Sequence, residues 1–306
     1  MSRNPFVADA TIADRIARYP QDVIAALAAT APELIQDGIM ASEDAAALMA
    51  RFGIAEVSDL MLLLLGLAKS YARPPISHFE VGAVGLEAES GHLIFGGNVE
   101  FPGTHLATTL HGEGFLATRA FNRGARLNMI AIGEAHPCAH CRQFLSEFAG
   151  GPDLLLIDPL GHRLRLGELY PWPFDPAYLG ETGAVAGAIN WPTLHAREGE
   201  APTELMAAGR RAHAPYSRCP GAVVLRLRDG AFVTGAAIES VAFNPTITPI
   251  QAAIVDLLAL GYRYTDIESA TLGCVVGGAV DYGQSTAELL AAIAPGVSLT
   301  VVDWAP

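Results

Sequence analysis

Three side chains that bind transition metals lie within a short stretch of this chain. His111 is followed after one residue by Glu113, and a Pro-Cys-x-x-Cys run supplies Cys138 and Cys141. Zinc held by one imidazole and two thiolates keeps a fourth position open for water. Glu113 is too close to His111 to be an independent ligand, but it is well placed to move the proton of that water. The pattern therefore predicts a hydrolytic zinc centre.

A Cys-x-x-Cys pair alone is weak evidence, because redox pairs and structural zinc sites share it. Here a proline precedes the pair and a His-x-Glu lies upstream, and this combination is the signature of zinc-dependent nucleobase deaminases. A structural site would need a fourth ligand. His140 is the nearest candidate, but on a helical turn its side chain points away from the two cysteines. We therefore favour an open centre with Glu113 as the catalytic residue.

Composition narrows the class of partner. The 306 residues carry 32 acidic and 19 basic side chains, a net charge of −13, and 51% of them are hydrophobic. A nucleic-acid surface needs clustered Lys and Arg, so we expect no nucleic-acid or membrane partner. A small uncharged substrate fits this charge balance, and solubility alone would explain the acidity equally well. The most apolar run, residues 60–67, is about a third of a membrane span. Four cysteines without a disulfide framework, and residues 1–10 without a signal-peptide core, predict a cytoplasmic protein.

The order of apolar patterns predicts alternating helices and strands. Helical spacing extends to about residue 70, a β-hairpin is expected over residues 79–95, and a helix is expected over residues 104–120. A further helix beginning at Cys138 would place Cys138 and Cys141 on one face of its first turn. Such alternation predicts a layered α/β sheet with helices covering its faces.

The second half of the chain echoes the first half without its metal ligands. Residues 214–224 are similar to residues 75–84. Where the His-x-Glu should recur, residues 248–251 read Thr-Pro-Ile-Gln, and Cys274 stands alone where a cysteine pair would be needed. We therefore expect a duplicated fold with one zinc ion per chain and a second half that serves as scaffold or interface.

Together these residues resemble the bacterial dimeric cytidine deaminases. The resemblance rests on Phe-Gly-Gly-Asn-Val-Glu-Phe at residues 95–101, on His-Gly-Glu and on Pro-Cys-Ala-His-Cys-Arg-Gln-Phe at residues 137–144. It implies a three-layer α/β/α cytidine-deaminase-like fold that is duplicated. The expected segments are a helical N-terminal segment (1–60), a catalytic domain (61–170), a linker (171–205) and a degenerate second domain (206–306).

The resemblance also implies substrate contacts in the catalytic domain. Asn98 and Glu100 would bind the ribose hydroxyls, and Phe79 would lie against the base. The backbone N–H of Gly112 would donate to the pyrimidine carbonyl, and the carbonyl of His136 would accept from the exocyclic amine. The family usually has alanine where this chain has Gly112, so more room near the base is one hypothesis.

In the family, residues of the second domain reach the active site of the other subunit. The resemblance therefore implies a homodimer in which Ala242 and Phe243 complete the site of the partner.

The sequence thus predicts hydrolytic deamination of cytidine or deoxycytidine to uridine or deoxyuridine plus ammonia, a step of pyrimidine salvage. Glu113 would move a proton from water to ring N3 and later one to the leaving amine. One alternative is a zinc deaminase that acts on another nucleobase or on nucleic acid, which would be expected to show basic and aromatic surface tracts. The other is a non-catalytic, zinc-stabilised binding protein, against which the intact Glu113 speaks.

Overall fold

The computed structural model describes residues 10–134 and 136–306. The first nine residues of the predicted helical segment, with most of the stretch searched for a signal peptide, lie outside the described residues. The helices of the described part are α1 (Ala10–Ala17), α2 (Gln21–Thr30), α3 (Ser42–Phe52), α4 (Val57–Leu63), α5 (Leu65–Ala68), α6 (Gly112–Arg123), α7 (Ala139–Ser146), α8 (Leu166–Leu169), α9 (Thr203–Arg211), α10 (Pro249–Ala259) and α11 (Tyr282–Ile293). Its strands are β1 (Ile35–Gln36), β2 (Ile39–Met40), β3 (Gly82–Glu87), β4 (Leu93–Gly97), β5 (Leu127–Ile132), β6 (Leu155–Ile157), β7 (Arg163–Arg165), β8 (His195–Ala196), β9 (Ala222–Leu227), β10 (Phe232–Ala236), β11 (Ile267–Cys274) and β12 (Ser298–Ala305).

Seven strands form the first sheet, in the order β1-β2-β4-β3-β5-β6-β7. The predicted hairpin is β3–β4, which pairs antiparallel from Gly82 opposite Gly97 to Leu86 opposite Leu93. β5 runs antiparallel to β3 and parallel to β6. β5 lies inside the sheet, between β3 and β6. The loop after its carboxyl end leads to α7, whose start lies beside the start of α6.

Alternate residues of the central strands face two different helix layers. Ile130 and Ile132 of β5 pack in one apolar cluster with Phe115 of α6, whereas Ala131 packs in a second cluster with Leu60 of α4. This period of two is what a strand buried on both faces requires. The predicted three-layer α/β/α fold is confirmed.

The prediction that the first 70 residues are all helical is wrong at β1 and β2. These two strands pair with each other, and β2 adds to the edge of the sheet through β4. The turn between them is Asp37-Gly38, with φ of 53° and 69°. An Asp-Gly pair with both φ values positive is the preferred two-residue hairpin turn, so a local signal overrides the surrounding helical composition.

The second sheet repeats the central part of the first. Its order is β10-β9-β11-β12-β8, with β9 antiparallel to both β10 and β11 and β11 parallel to β12. On one face it packs against α9, and on the other face it shares an apolar cluster with α10 and α6. The chain therefore contains two α/β units joined face to face through α6 and α10. Domain boundaries at residues 60, 170 and 205 remain a prediction.

Polar contacts reinforce the packing between the two units. Arg119 of α6 forms a largely buried ion pair with Asp256 of α10, with 2.7 Å between Nη1 and Oδ1. Asn122 donates from Nδ2 to the carbonyl of Ala252 at 3.0 Å. Within the described ranges, no helix is both long enough and apolar enough to cross a membrane.

Candidate active site and metal centre

His111 lies at the very start of α6. It is the N-cap residue, with φ −85° and ψ 162°, so its backbone is extended and the helix begins at Gly112. The predicted start of this helix at residue 104 is wrong. Leu110 and Val99 exchange backbone hydrogen bonds of 2.8 and 2.9 Å, and this bridge keeps the chain extended up to His111.

The two cysteines occupy the start of α7, as the sequence predicts. Cys138 is the N-cap residue and Cys141 is the third residue of the helix. Each sulfur lies 3.6 Å from Nδ1 of His111. The three ligand atoms therefore converge on one point, although 27 residues separate His111 from Cys138.

These separations fit a zinc ion. Zinc–sulfur bonds of about 2.3 Å and zinc–nitrogen bonds of about 2.0 Å at a tetrahedral angle place sulfur and nitrogen about 3.6 Å apart. Within the described part of the chain, one other group of three candidate ligands converges, formed by His136, Asp158 and His162. Among the residues that the structure describes, no fourth His, Cys, Asp or Glu joins His111, Cys138 and Cys141 in the group that could hold an ion.

The protonation of the two thiols also fits a cation site. Hydrogen bonds from Cys141 and then from His111 lower the pKa of the Cys138 thiol to about 3. The adjacent thiolate and burial raise the pKa of the Cys141 thiol. A cation between the two sulfurs would favour the ionised form of both thiols.

Glu113 is the second residue of α6, and its carboxyl is buried, with only 4% of the residue exposed. Burial raises the pKa of Glu113, partly offset by its own backbone N–H and by His111. Glu113 lines a cavity of about 360 Å³ together with His111 and Cys138. A cavity of this size is in the range that holds small ligands.

The same cavity brings together the predicted substrate contacts of the catalytic domain. Besides Glu113 its wall includes Phe79, Asn98, Glu100, Gly112 and His136. Phe79 is 57% exposed in the single chain. Its side chain is therefore not part of the hydrophobic core. Gly112 is the first residue of α6, and the helix itself provides no acceptor for the N–H at that position.

Asn98 and Glu100 are held by the loop that precedes β3. Asn98 Oδ1 accepts from the N–H of Val81, and its Nδ2 donates to the carbonyl of Phe79, both at 2.9 Å. One N–H and one lone pair of the amide remain for a ligand. Burial opposes ionisation of Glu100, but hydrogen bonds from Ser77 and from the N–H of Ile76 lower its pKa overall.

The predicted contacts from the second domain do not lie in this chain's own cavity. Phe243 is 64% exposed and adopts a left-handed backbone with φ 63°. Neither Ala242 nor Phe243 is among the residues that line the 360 Å³ cavity. Their predicted role concerns the partner subunit and remains a prediction.

Arg142 does not contact the thiolates through its guanidinium Nε. This atom donates to the carbonyl of Pro137 at 2.7 Å. Arg142 therefore anchors the loop before Cys138.

The second domain repeats the backbone of this site without its chemistry. The bridge between Val99 and Leu110 recurs between Ile238 and Ile247, so Thr248 occupies the place of His111. The helix-capping place of Cys138 is taken by Asp281 at the start of α11.

The prediction that Cys274 stands at the place of the cysteine pair is wrong, because Cys274 is the last residue of β11, before the loop to α11. The ring of Tyr282, the first residue of α11, is buried against Gly221. A Cβ placed on Gly221 would lie 2.6 Å from it.

A layered α/β fold with a His-x-Glu at one helix start and a Cys-x-x-Cys at the next defines the class of zinc-binding deaminase folds. Comparison with known families agrees. Two family models, both described as the cytidine and deoxycytidylate deaminase zinc-binding region, match the chain, one over residues 55–152 and the other over residues 188–282. The chain belongs to this family.

Curated relatives cover nearly the whole chain. A cytidine deaminase of Photobacterium profundum is 32% identical over 96% of this chain and 99% of its own length. One from Vibrio atlanticus is 34% identical over 86% of this chain and 89% of its own length. The crystal structure of cytidine deaminase from Mycobacterium tuberculosis covers 39% of this chain and 98% of that chain, at 31% identity and a TM-score of 0.34.

Proposed function

We propose that this protein catalyses the hydrolytic deamination of cytidine or deoxycytidine to uridine or deoxyuridine, with release of ammonia. The observation that carries the proposal is the convergence of His111, Cys138 and Cys141 beside the buried Glu113 at the wall of one cavity. Family membership over almost the full length of the chain supports the same reaction.

The metal ligands would be His111, Cys138 and Cys141. Bound zinc is a Lewis acid that lowers the pKa of water toward 7, from about 15.7, and so supplies a nucleophile at neutral pH.

Glu113 carries the protons of the reaction. It takes one proton from water and delivers it to ring N3, which makes C4 electrophilic. It then carries a second proton, from the hydroxyl added at C4, to the amine, which leaves as ammonia. Positioned general acid–base catalysis of this kind contributes about 10²- to 10⁴-fold in rate.

The remaining cavity residues hold the nucleoside. Asn98 and Glu100 contact the ribose hydroxyls, and Phe79 covers the base. At the other end, the N–H of Gly112 donates to the pyrimidine carbonyl and the carbonyl of His136 accepts from the exocyclic amine. An amine donates to that carbonyl and a keto oxygen cannot, so His136 distinguishes the substrate from the product.

The functional unit in this proposal is a homodimer. His111, Cys138 and Phe79 are exposed in the single chain, and Phe243 offers an exposed ring on the second domain. In the dimer, Ala242 and Phe243 of one subunit cover the cavity of the other. We also propose a cytoplasmic location and a role in pyrimidine salvage; thiolate ligands require reduced cysteines, which a reducing compartment provides.

The proposed reaction is tested by following ultraviolet absorbance with a panel of cytosine and adenine nucleosides and an RNA stem-loop. Cytidine or deoxycytidine should be turned over, and Glu113→Gln should retain zinc and nucleoside binding but lose at least about 100-fold in kcat. The matched control is Glu134→Gln, which lines the same cavity but pairs with Lys69 at its exposed edge. Turnover of only RNA or adenosine, or an unimpaired Glu113→Gln enzyme, would contradict the proposal.

A further inference from the structure

A second group of ionisable side chains lies next to the substrate cavity. Asp158 and His162 belong to the turn between β6 and β7, and His136 lies on the loop that leads to Cys138. The carboxylate of Asp158 is buried, with 3% of the residue exposed. Its Oδ2 lies 2.8 Å from Nδ1 of His162 and 3.2 Å from Nδ1 of His136. His136 also lines the 360 Å³ cavity.

The three side chains form a compact triad around the carboxylate of Asp158. An ionised carboxylate only accepts hydrogen bonds, so the imidazole of His162 donates to Asp158 from Nδ1. Nδ1 of His136 lies at ion-pair distance from the same carboxylate oxygen. The two rings meet edge to face, with centroids 4.3 Å apart. A zinc ion between these groups, with bonds of about 2.0 to 2.1 Å, would separate nitrogen from oxygen by about 3.3 Å. The 2.8 Å between His162 and Asp158 is shorter than that and matches a direct hydrogen bond.

The turn between β6 and β7 makes Asp158 a rigid anchor. Asp158 and His162 exchange further hydrogen bonds, from the N–H of His162 to Asp158 Oδ1 at 3.1 Å and from the N–H of Asp158 to the carbonyl of His162 at 3.2 Å. β6 in turn pairs with the central strand β5. The side chain of His136 is therefore tied to the sheet and not only to its own loop.

We propose that Asp158 and His162 are positioning residues for recognition of the exocyclic amine. They hold the imidazole of His136 and thereby fix its backbone carbonyl, which receives the amine in the reaction proposed above. The following Pro137 restricts the same backbone from the other side, and Arg142 holds the carbonyl of Pro137. This inference depends on the proposed function, because it assigns a task to the carbonyl of His136.

The test compares a ligand that has the amine with one that lacks it. In the zinc-loaded Glu113→Gln protein, which binds without rapid turnover, the dissociation constants of cytidine and uridine are measured by calorimetry. Asp158→Asn and His162→Ala should lower the preference for cytidine over uridine by about five- to tenfold, the equivalent of one hydrogen bond. His162→Asn keeps a donor near the position of Nδ1 and should retain most of the preference. Asp153→Asn, an exposed carboxylate beside the same strand, is the matched control and should change nothing.

Each other outcome overturns the inference. If both nucleosides weaken by the same factor, or if the preference is unchanged in Asp158→Asn and His162→Ala, the triad has no role in recognising the amine. Two zinc ions per chain in the parent protein, with one lost in His162→Ala, would make the group a metal site instead. Deamination of cytidine by the protein with an intact Glu113 is measured separately. Its absence would refute the proposed function, whereas its presence with an unchanged preference would refute only this inference.

Discussion

Gly112 and Ala83 are in such close contact that the glycine has no room for a side chain. A Cβ built on Gly112 would lie 2.9 Å from the Cβ of Ala83. Ala83 belongs to β3 and is fully buried between the sheet and α6. The missing methyl group therefore faces the strand. We attribute Gly112 to the close packing of α6 on β3, and not to additional room around the base.

This contact predicts that Gly112→Ala destabilises the protein although alanine favours helices. Overpacking costs about 1 to 3 kcal/mol, and the gain in helix propensity offsets up to about 1 kcal/mol of it. We expect a net loss of about 1 kcal/mol in the free energy of unfolding, measured with urea. Ala83→Gly in the same chain should recover part of the loss. A Gly112→Ala protein that is more stable than the parent would contradict this prediction, because it would show that α6 can move away from β3 without loss of stability.

A second prediction concerns the buried carboxylate that connects the two domains. Glu147, fully buried after α7, accepts from Tyr216 Oη at 2.7 Å, from His213 Nε2 at 2.8 Å and from the N–H of Val241 at 2.8 Å. Burial and the hydrogen bond to Glu147 raise the pKa of Tyr216, so its donor proton is retained at neutral pH. Tyr216→Phe should lower the free energy of unfolding by about 1.5 to 3 kcal/mol, as expected for a hydrogen bond to a charged group.

The control for this measurement is Tyr178→Phe, because Tyr178 is 73% exposed. That substitution should change the free energy of unfolding by less than about 0.5 kcal/mol. Equal effects of the two substitutions would mean that the contact between Tyr216 and Glu147 adds nothing to stability.

The sequence was sufficient to predict that the side chains of His111, Cys138 and Cys141 lie together. His-x-Glu and Cys-x-x-Cys fix the local geometry at two helix starts, and the α/β alternation brings those starts to one edge of the sheet. The sequence similarity between the two halves of the chain also extends to a side-chain contact outside the metal-binding motifs. Ser77 donates to Glu100 and Ser217 donates to Glu239 in the same way, so the repeated serines make the same structural contact in both domains.

Other parts of the site could not be predicted from local patterns. Asp158 and His162 form an ordinary turn sequence, and only the pairing of β5 with β6 brings them to His136. The sequence pattern predicts too early a start for α6, because the bridge between Val99 and Leu110 joins residues that are apart in sequence. Long-range pairing of this kind leaves no periodic signal in either segment.

Subunit complementation tests the predicted contribution of the second domain. Phe243→Asp should lower kcat/KM for cytidine at least about tenfold, since it removes an apolar contact and adds a charge at a shared site. Mixing this variant with inactive Glu113→Gln, after dissociation and reassociation, forms heterodimers that contain one intact site. Random pairing into two-fold dimers should restore about a quarter of the wild-type activity. A mixture no more active than the average of its two components would contradict a site shared between subunits.

The two cysteines of α7 should differ from the other cysteines in metal binding. Cys141→Ala should abolish stoichiometric zinc, because one nitrogen and one sulfur cannot hold the ion tightly. Cys274→Ala is the matched control, since Cys274 is equally buried but lies in the second domain, and it should retain one zinc per chain. Zinc content by atomic emission decides the comparison. Equal zinc loss in both variants would point to general unfolding.

The most direct test of the central claim is a zinc titration of the metal-free protein, with ammonia release from cytidine as the readout. We expect no activity without metal, a linear rise with added zinc and a plateau at one equivalent per chain. Full ammonia release from the metal-free protein, or none at one equivalent of bound zinc, would contradict a hydrolytic centre formed by His111, Cys138 and Cys141.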